Sequence, residues 1–110
     1  MTVSAAGAWA KGAAFVKLIA EHMRAECGYE IMVRAKGEEG DDMLVAQLAH
    51  ISFEVKCREK TELAKWMRQA HEQAGEKRLP VVIHKRARVT APEKQWVTME
   101  LGTFLRLVER

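Results

Sequence analysis

Two β-type stretches, Ile51–Cys57 and Leu79–His84, stand on either side of one amphipathic helical stretch, and that passage restricts the fold more than any other part of the chain. The first stretch alternates. Ile51, Phe53, Val55 and Cys57 share one face, while Ser52, Glu54, Lys56 and Arg58 share the other. The second is a continuous apolar run, the pattern of a strand buried on both faces. Between them, Thr61 is expected as an N-cap, Leu63, Trp66, Met67, Ala70 and Ala74 form an apolar stripe, and Gly75 closes the helix. Strand, helix, strand implies a right-handed crossover between parallel neighbours.

The remaining segments fit around this unit. A helix is expected from about Trp9 to Ala25, with Phe15, Leu18, Ile19, His22 and Met23 at helical spacing and Gly28 beyond its end. Tyr29–Arg34 alternates as a strand, residues 36–40 read as a polar turn, and Met43–Leu48 begins a second strand. After a loop over Arg88–Lys94, Trp96–Leu101 alternates again, and a short helix carrying Phe104, Leu105 and Val108 follows Gly102. The expected architecture is one α/β domain over residues 1–110, a central mixed sheet flanked by helices in the order α-β-β-β-α-β-β-α. Trp66 and Trp96 both fall in apolar patterns and are expected in the core.

No run approaches the ~20 apolar residues of a membrane span, and the alanine-rich N-terminus lacks the charged start of a signal peptide. Cys27 and Cys57 match no zinc spacing, and Cys57 falls on the apolar side of its strand. Reduced thiols and a cytoplasmic location are expected.

The polar face of the alternating strand carries the chemistry. Glu54 and Lys56 project to the same side, and the acidic pair Asp41-Asp42 precedes them by a short apolar stretch. Each element alone is commonplace; a Glu and a Lys side by side on a surface strand contribute little to stability. Their order gives each a job. Asp42 and Glu54 are hard oxygen donors suited to Mg²⁺, with Mn²⁺ as a substitute, and the backbone carbonyl of Val55 offers a further ligand. Asp41 can serve instead of Asp42 or beside it. Lys56 would position an attacking water and offset charge developing on a phosphoryl group.

A basic surplus lies downstream. Between Lys77 and Lys94 six basic residues face a single acid, Glu93, although the net charge of the chain is only +3. His84-Lys85-Arg86 ends the apolar strand and opens this loop; all three, with Arg88, are expected DNA contacts, Lys85 and Arg86 holding phosphates.

Taken in order, these segments resemble the PD-(D/E)XK nuclease superfamily, and within it the small Holliday-junction-resolvase-like enzymes of phages and bacteria. Gly40-Asp41-Asp42 looks like the family's acidic turn, Glu54-Val55-Lys56 like its catalytic strand, and Leu63-Ala64-Lys65-Trp66 with Gln69-Ala70 like the helix that follows. Val81–Arg86 and Trp96–Met99 resemble its last two strands, and Lys11-Gly12 its early Lys-Gly. The resemblance implies a restriction-endonuclease-like core, a magnesium-dependent endonuclease acting on branched DNA, and a homodimer in a bacterial or phage-infected cell. It adds Lys11 to the expected DNA contacts and Gln69 as an accessory to the site. One departure is plain. The family's helix-one glutamate falls near Val16, where this chain has no acid, and Glu21 lies more than a turn further on. Nucleases for flapped, nicked or linear DNA, an inactive DNA-binding relative and a small protein-interaction domain are the competing expectations.

Overall fold

The computed structural model describes residues 5–34 and 40–109. Helix α1 (Ala5–Cys27) leads to strands β1 (Ile31–Val33), β2 (Met43–Val45) and β3 (Ile51–Lys56). Helix α2 (Leu63–Ala74) crosses to β4 (Leu79–His84), followed by β5 (Trp96–Thr98) and α3 (Leu101–Val108). The five strands form one sheet in the order β1-β2-β3-β4-β5, antiparallel throughout except for the parallel β3–β4 pair. This is an α/β chain with a mixed sheet flanked by helices, and the parallel pair belongs to the strand–helix–strand passage. The polar turn expected at 36–40 lies, up to residue 39, outside the described residues.

The two faces of β4 explain its uninterrupted apolar character. Val81 and Ile83 join Phe53, Val55, Met43 and Val45 beneath Phe15, Val16, Ile19 and Ala20 of α1. Val82 turns the other way and packs with Trp66 and Ala70 of α2. Each such burial contributes about 1.5–3 kcal/mol for a Val- or Leu-sized side chain, so β4 is the strand on which both layers depend. Pro80 is tolerated inside it for a topological reason. Leu79 donates to His50 and Lys85 to Lys56, so odd-numbered residues of β4 face β3 and the even ones face β5. Because β5 reaches only Val82, the missing N–H of Pro80 falls beyond the ladder.

The helix ends follow ordinary stereochemistry. Gly75 takes φ +66°, which a side chain would disfavour, and its amide donates to the carbonyl of His71 at 3.0 Å. The start of α2 differs from expectation: Glu62, not Thr61, is the capping position, and no side chain caps it. In α1 the buried stripe runs through Val16, while Leu18 is 36 % exposed. β2 gives way to a 3₁₀ turn at Ala46–Leu48, and β5 ends at Thr98, so that Leu101 and Gly102 are already helical. Trp66 is buried as expected, but Trp96 is not core. It lies on an edge strand with one neighbour, where only one side of the ring has anything to pack against. Among the described residues no helix is long and apolar enough to cross a membrane.

Candidate active site

The site begins at the turn before β2. Gly40 has φ +115°, and a Cβ there would run into the guanidinium of Arg34. Arg34 closes over the turn by donating Nε–H to the carbonyl of Asp41, and its own amide donates to the carbonyl of Asp42 at 3.0 Å. The two acids of the turn then diverge.

Asp41 points into the protein and is 2 % exposed. Arg78 donates to both its oxygens, from Nη1 at 2.7 Å and Nη2 at 3.0 Å, and Ser52 Oγ donates to Oδ1 at 2.9 Å. Arg78 also reaches the carbonyl of Gln73 at 3.2 Å. This fork-to-fork pair fastens the turn to β3, to the end of α2 and to the start of β4. Asp41, expected as a metal ligand instead of Asp42 or beside it, already accepts three hydrogen bonds within the protein. Arg78, one of the six basic residues between Lys77 and Lys94, is likewise occupied. Nothing local in the sequence signals this pair, whose members are 37 residues apart.

Asp42 points toward β3. Its amide donates to Phe53 O at 3.2 Å, and its Oδ2 accepts the Val55 amide at 2.7 Å. Because N–H and C=O of a strand residue point to the same side, the Val55 carbonyl faces the edge that Asp42 occupies, past the last β2–β3 pair at Met43 and Phe53. Glu54 and Lys56 lie on the α2 side of the sheet, their side chains 13 % and 17 % exposed, with Nζ 3.7 Å from Oε2. Burial first, and then the charge of Asp42, push the Glu54 carboxyl up to about 7 against the opposing pull of Lys56; a hydrogen bond to Asp42 and the charge of Asp41 act in the same upward direction. Two carboxyls therefore meet beside one ammonium.

This donor set fits a hard divalent cation. Mg²⁺ is ordinarily held by one or two carboxylates and keeps several waters, and a cation would offset the repulsion between Asp42 and Glu54. Among the described residues no group of three or more His, Cys, Asp or Glu side chains could hold a metal; the oxygen donors on this edge of β3 are the carboxylates of Asp42 and Glu54 and the Val55 carbonyl. Gln69 lies on α2 between Trp66 and Gln73, and its Oε1 is buried with no hydrogen-bond partner among the described residues. Val16 sits in the core on the opposite side of the sheet, and Glu21 is exposed.

The expected DNA contacts are not brought to one place. His84 is buried, wedged between Trp66 and Trp96, with Nε2 2.7 Å from Thr98 Oγ1, and burial lowers its pKa. It is therefore a packing residue, with almost no surface to offer a phosphate. Lys85 turns its ammonium inward, donating to the carbonyls of Arg86 at 2.7 Å and of Val89. Gln95 pins the same loop, accepting from the Arg86 amide at 2.7 Å and donating to Val89 and Ala91 carbonyls at 2.9 and 3.0 Å. Arg86 lies over the Trp96 ring. Arg88 is exposed, with φ +62°. Lys11 is exposed on α1, which packs on the sheet face away from Glu54 and Lys56.

Comparison of the chain with protein-family models, with curated proteins and with solved structures found no match.

Proposed function

We propose that this chain is a Mg²⁺- or Mn²⁺-dependent endonuclease that hydrolyses DNA phosphodiester bonds, selective for branched DNA such as a four-way junction and acting as a homodimer. The observation that carries the reading is the meeting of Asp42 and Glu54 beside Lys56, with the Glu54 carboxyl held near 7. The order helix, three strands, helix, strand, with acids entering from β2 and β3, supports a restriction-endonuclease-like core. Asp42, Glu54 and the Val55 carbonyl would hold the ion. When bound, it supplies positive charge to the scissile phosphate and lowers the pKa of a coordinated water.

The side chains divide the remaining work. Asp42 is oriented by its bond to the Val55 amide, and Asp41 with Arg78 keeps the turn in place. Lys56 donates hydrogen bonds to a water or phosphoryl oxygen and balances charge that grows there during in-line attack. Gln69 Oε1, buried and unpaired, has the acceptor capacity to orient a water held above β3. One observation favours a second reading, a DNA-binding protein of this fold without catalysis: only two acidic side chains converge, and Val16 supplies no third.

Cleavage of a labelled four-way junction beside the matching linear duplex tests both, in Mg²⁺, Mn²⁺ or EDTA. Paired metal-dependent nicks in the junction, lost in Glu54→Ala and Lys56→Ala, are expected. Equal cutting of junction, flap, nick and duplex would retain the nuclease and remove branch selectivity. Tight binding with no cutting in any metal would select the binding-only reading.

A further inference from the structure

Trp96 is an aromatic that the fold leaves largely uncovered, 57 % exposed at the start of edge strand β5. Its place in the sheet is informative. Trp96 is paired with His84, and His84 with Lys56. Directly paired residues project on one face, so Lys56, His84 and Trp96 form a row across three adjacent strands. At ordinary strand spacing the outer two backbones stand about 10 Å apart, a distance that a nucleotide or two spans.

The indole is braced. His84 meets it edge-on, with ring centroids 6.0 Å apart and planes at 74°. Arg86 lies 4.7 Å from its ring centroid and is itself fixed through Nη1 to the Lys94 carbonyl at 3.1 Å. Gln95 in turn holds the Arg86 backbone amide at 2.7 Å. A tryptophan carrying a guanidinium is a flat, positively charged surface, and it invites another flat, electron-rich partner above a polyanionic strand.

We propose that Trp96, together with Arg86, is a stacking subsite for an unpaired nucleobase of the strand that passes Lys56. The proposal rests on the nucleic-acid reading above and names what that reading lacks, a physical source of substrate selectivity. In a continuous duplex both faces of every base are covered by neighbours, and only edges are displayed in the grooves. A base face becomes free at a branch point, a nick, a flap or a single-stranded end, and stacking on an aromatic then takes any of the four bases. The subsite selects for interrupted stacking and against sequence.

The experiment compares two single strands of equal length and charge, an oligothymidylate and its fully abasic counterpart, in EDTA and low salt. Both are titrated with the full chain as wild type, Trp96→Ala and Trp96→Phe, and sedimentation records the oligomeric state of each. The proposal expects Trp96→Ala to weaken oligothymidylate binding roughly five- to a hundred-fold, to leave the abasic strand unchanged, and Trp96→Phe to recover most of the loss. Wild type that binds the two strands equally overturns the stacking subsite while the nucleic-acid reading stands. Wild type that binds neither strand overturns both. A Trp96→Ala chain that changes oligomeric state and loses affinity for both strands alike also overturns the proposal, since the indole would then serve a contact between copies.

Discussion

Asp42 Oδ2 accepts the amide hydrogen of Val55 at 2.7 Å, from a turn thirteen residues earlier in the chain. The bond does for the acidic turn what a strand pair would have done, since the β2–β3 ladder ends one step before it. It also places a second carboxylate against Glu54. Geometry and charge can be separated here, because an asparagine oxygen accepts the same hydrogen bond without the charge. Asp42→Asn should keep the fold and lower the Glu54 pKa from about 7 toward the ordinary range, read by carboxyl carbon NMR. Mn²⁺ affinity measured by calorimetry should fall at least about ten-fold. An Asn variant that binds Mn²⁺ as tightly as wild type would remove Asp42 from the ligand set.

The raised pKa has a cost in the metal-free protein. The folded chain keeps a proton on Glu54 up to about 7, while the unfolded chain releases it near 4.3. Between these values the native state binds more protons, so stability falls as pH rises through this window and levels off above it. Glu54→Gln removes the dependence. In EDTA it should be more stable than wild type at pH 8, by on the order of 3 kcal/mol, with the advantage gone below about pH 4.5. Urea unfolding across pH checks this, and a constant difference between the two chains at every pH would refute it.

Arg78 and Asp41 make the opposite case, an ion pair whose role is structural. Asp41 is buried with Arg78 as its main partner. Truncating the arginine leaves a buried carboxylate with only Ser52 Oγ. Arg78→Ala should lower stability by about 3–5 kcal/mol, while the double variant with Asp41→Asn should recover part of that loss because no charge remains unpaired. Thermal unfolding measures both. If Arg78→Ala instead left stability intact and reduced only DNA affinity, the arginine would be a phosphate contact after all.

These residues show why the sequence could be read so far and no further. The crossover unit was legible because its signals are local: alternation over Ile51–Cys57, a helical stripe through Trp66 and Ala70, and a two-faced run at Leu79–His84. Alternation also placed Glu54 and Lys56 on one face. It did not show that α2 covers that face, where Ser52 is fully buried and the side chains of Glu54 and Lys56 are only 13 % and 17 % exposed. Asp41 and Arg78 each look like ordinary exposed charges until the turn and the start of β4 are brought together. His84 reads as a polar strand end, but α2 and β5 close over it with Trp66 and Trp96. Trp96 itself follows the apolar pattern of its strand, and only the sheet order reveals that the strand is an edge. Val16 matches the spacing of a family ligand, yet the helix rotates it into the core with Phe15 and Ile19.

The basic loop separates residues that neutralise phosphates from residues that hold the loop. Lys85 is spent on the carbonyls of Arg86 and Val89, so removing its ammonium leaves those acceptors without their donor. Arg88 is exposed and free to meet a phosphate at no internal loss. Each phosphate contact on duplex DNA contributes about 0.9 to the slope of log affinity against log salt concentration. Arg88→Ala should therefore reduce that slope by roughly one unit with no change in melting temperature. Lys85→Ala should do the reverse, lowering the melting temperature by several degrees while leaving the slope nearly unchanged. Titrations of labelled junction DNA at four or five salt concentrations, paired with thermal unfolding, give both numbers for each variant. Equal slope losses in the two variants would mean that Lys85 leaves its carbonyls when DNA binds, and that the loop reorganises on the substrate.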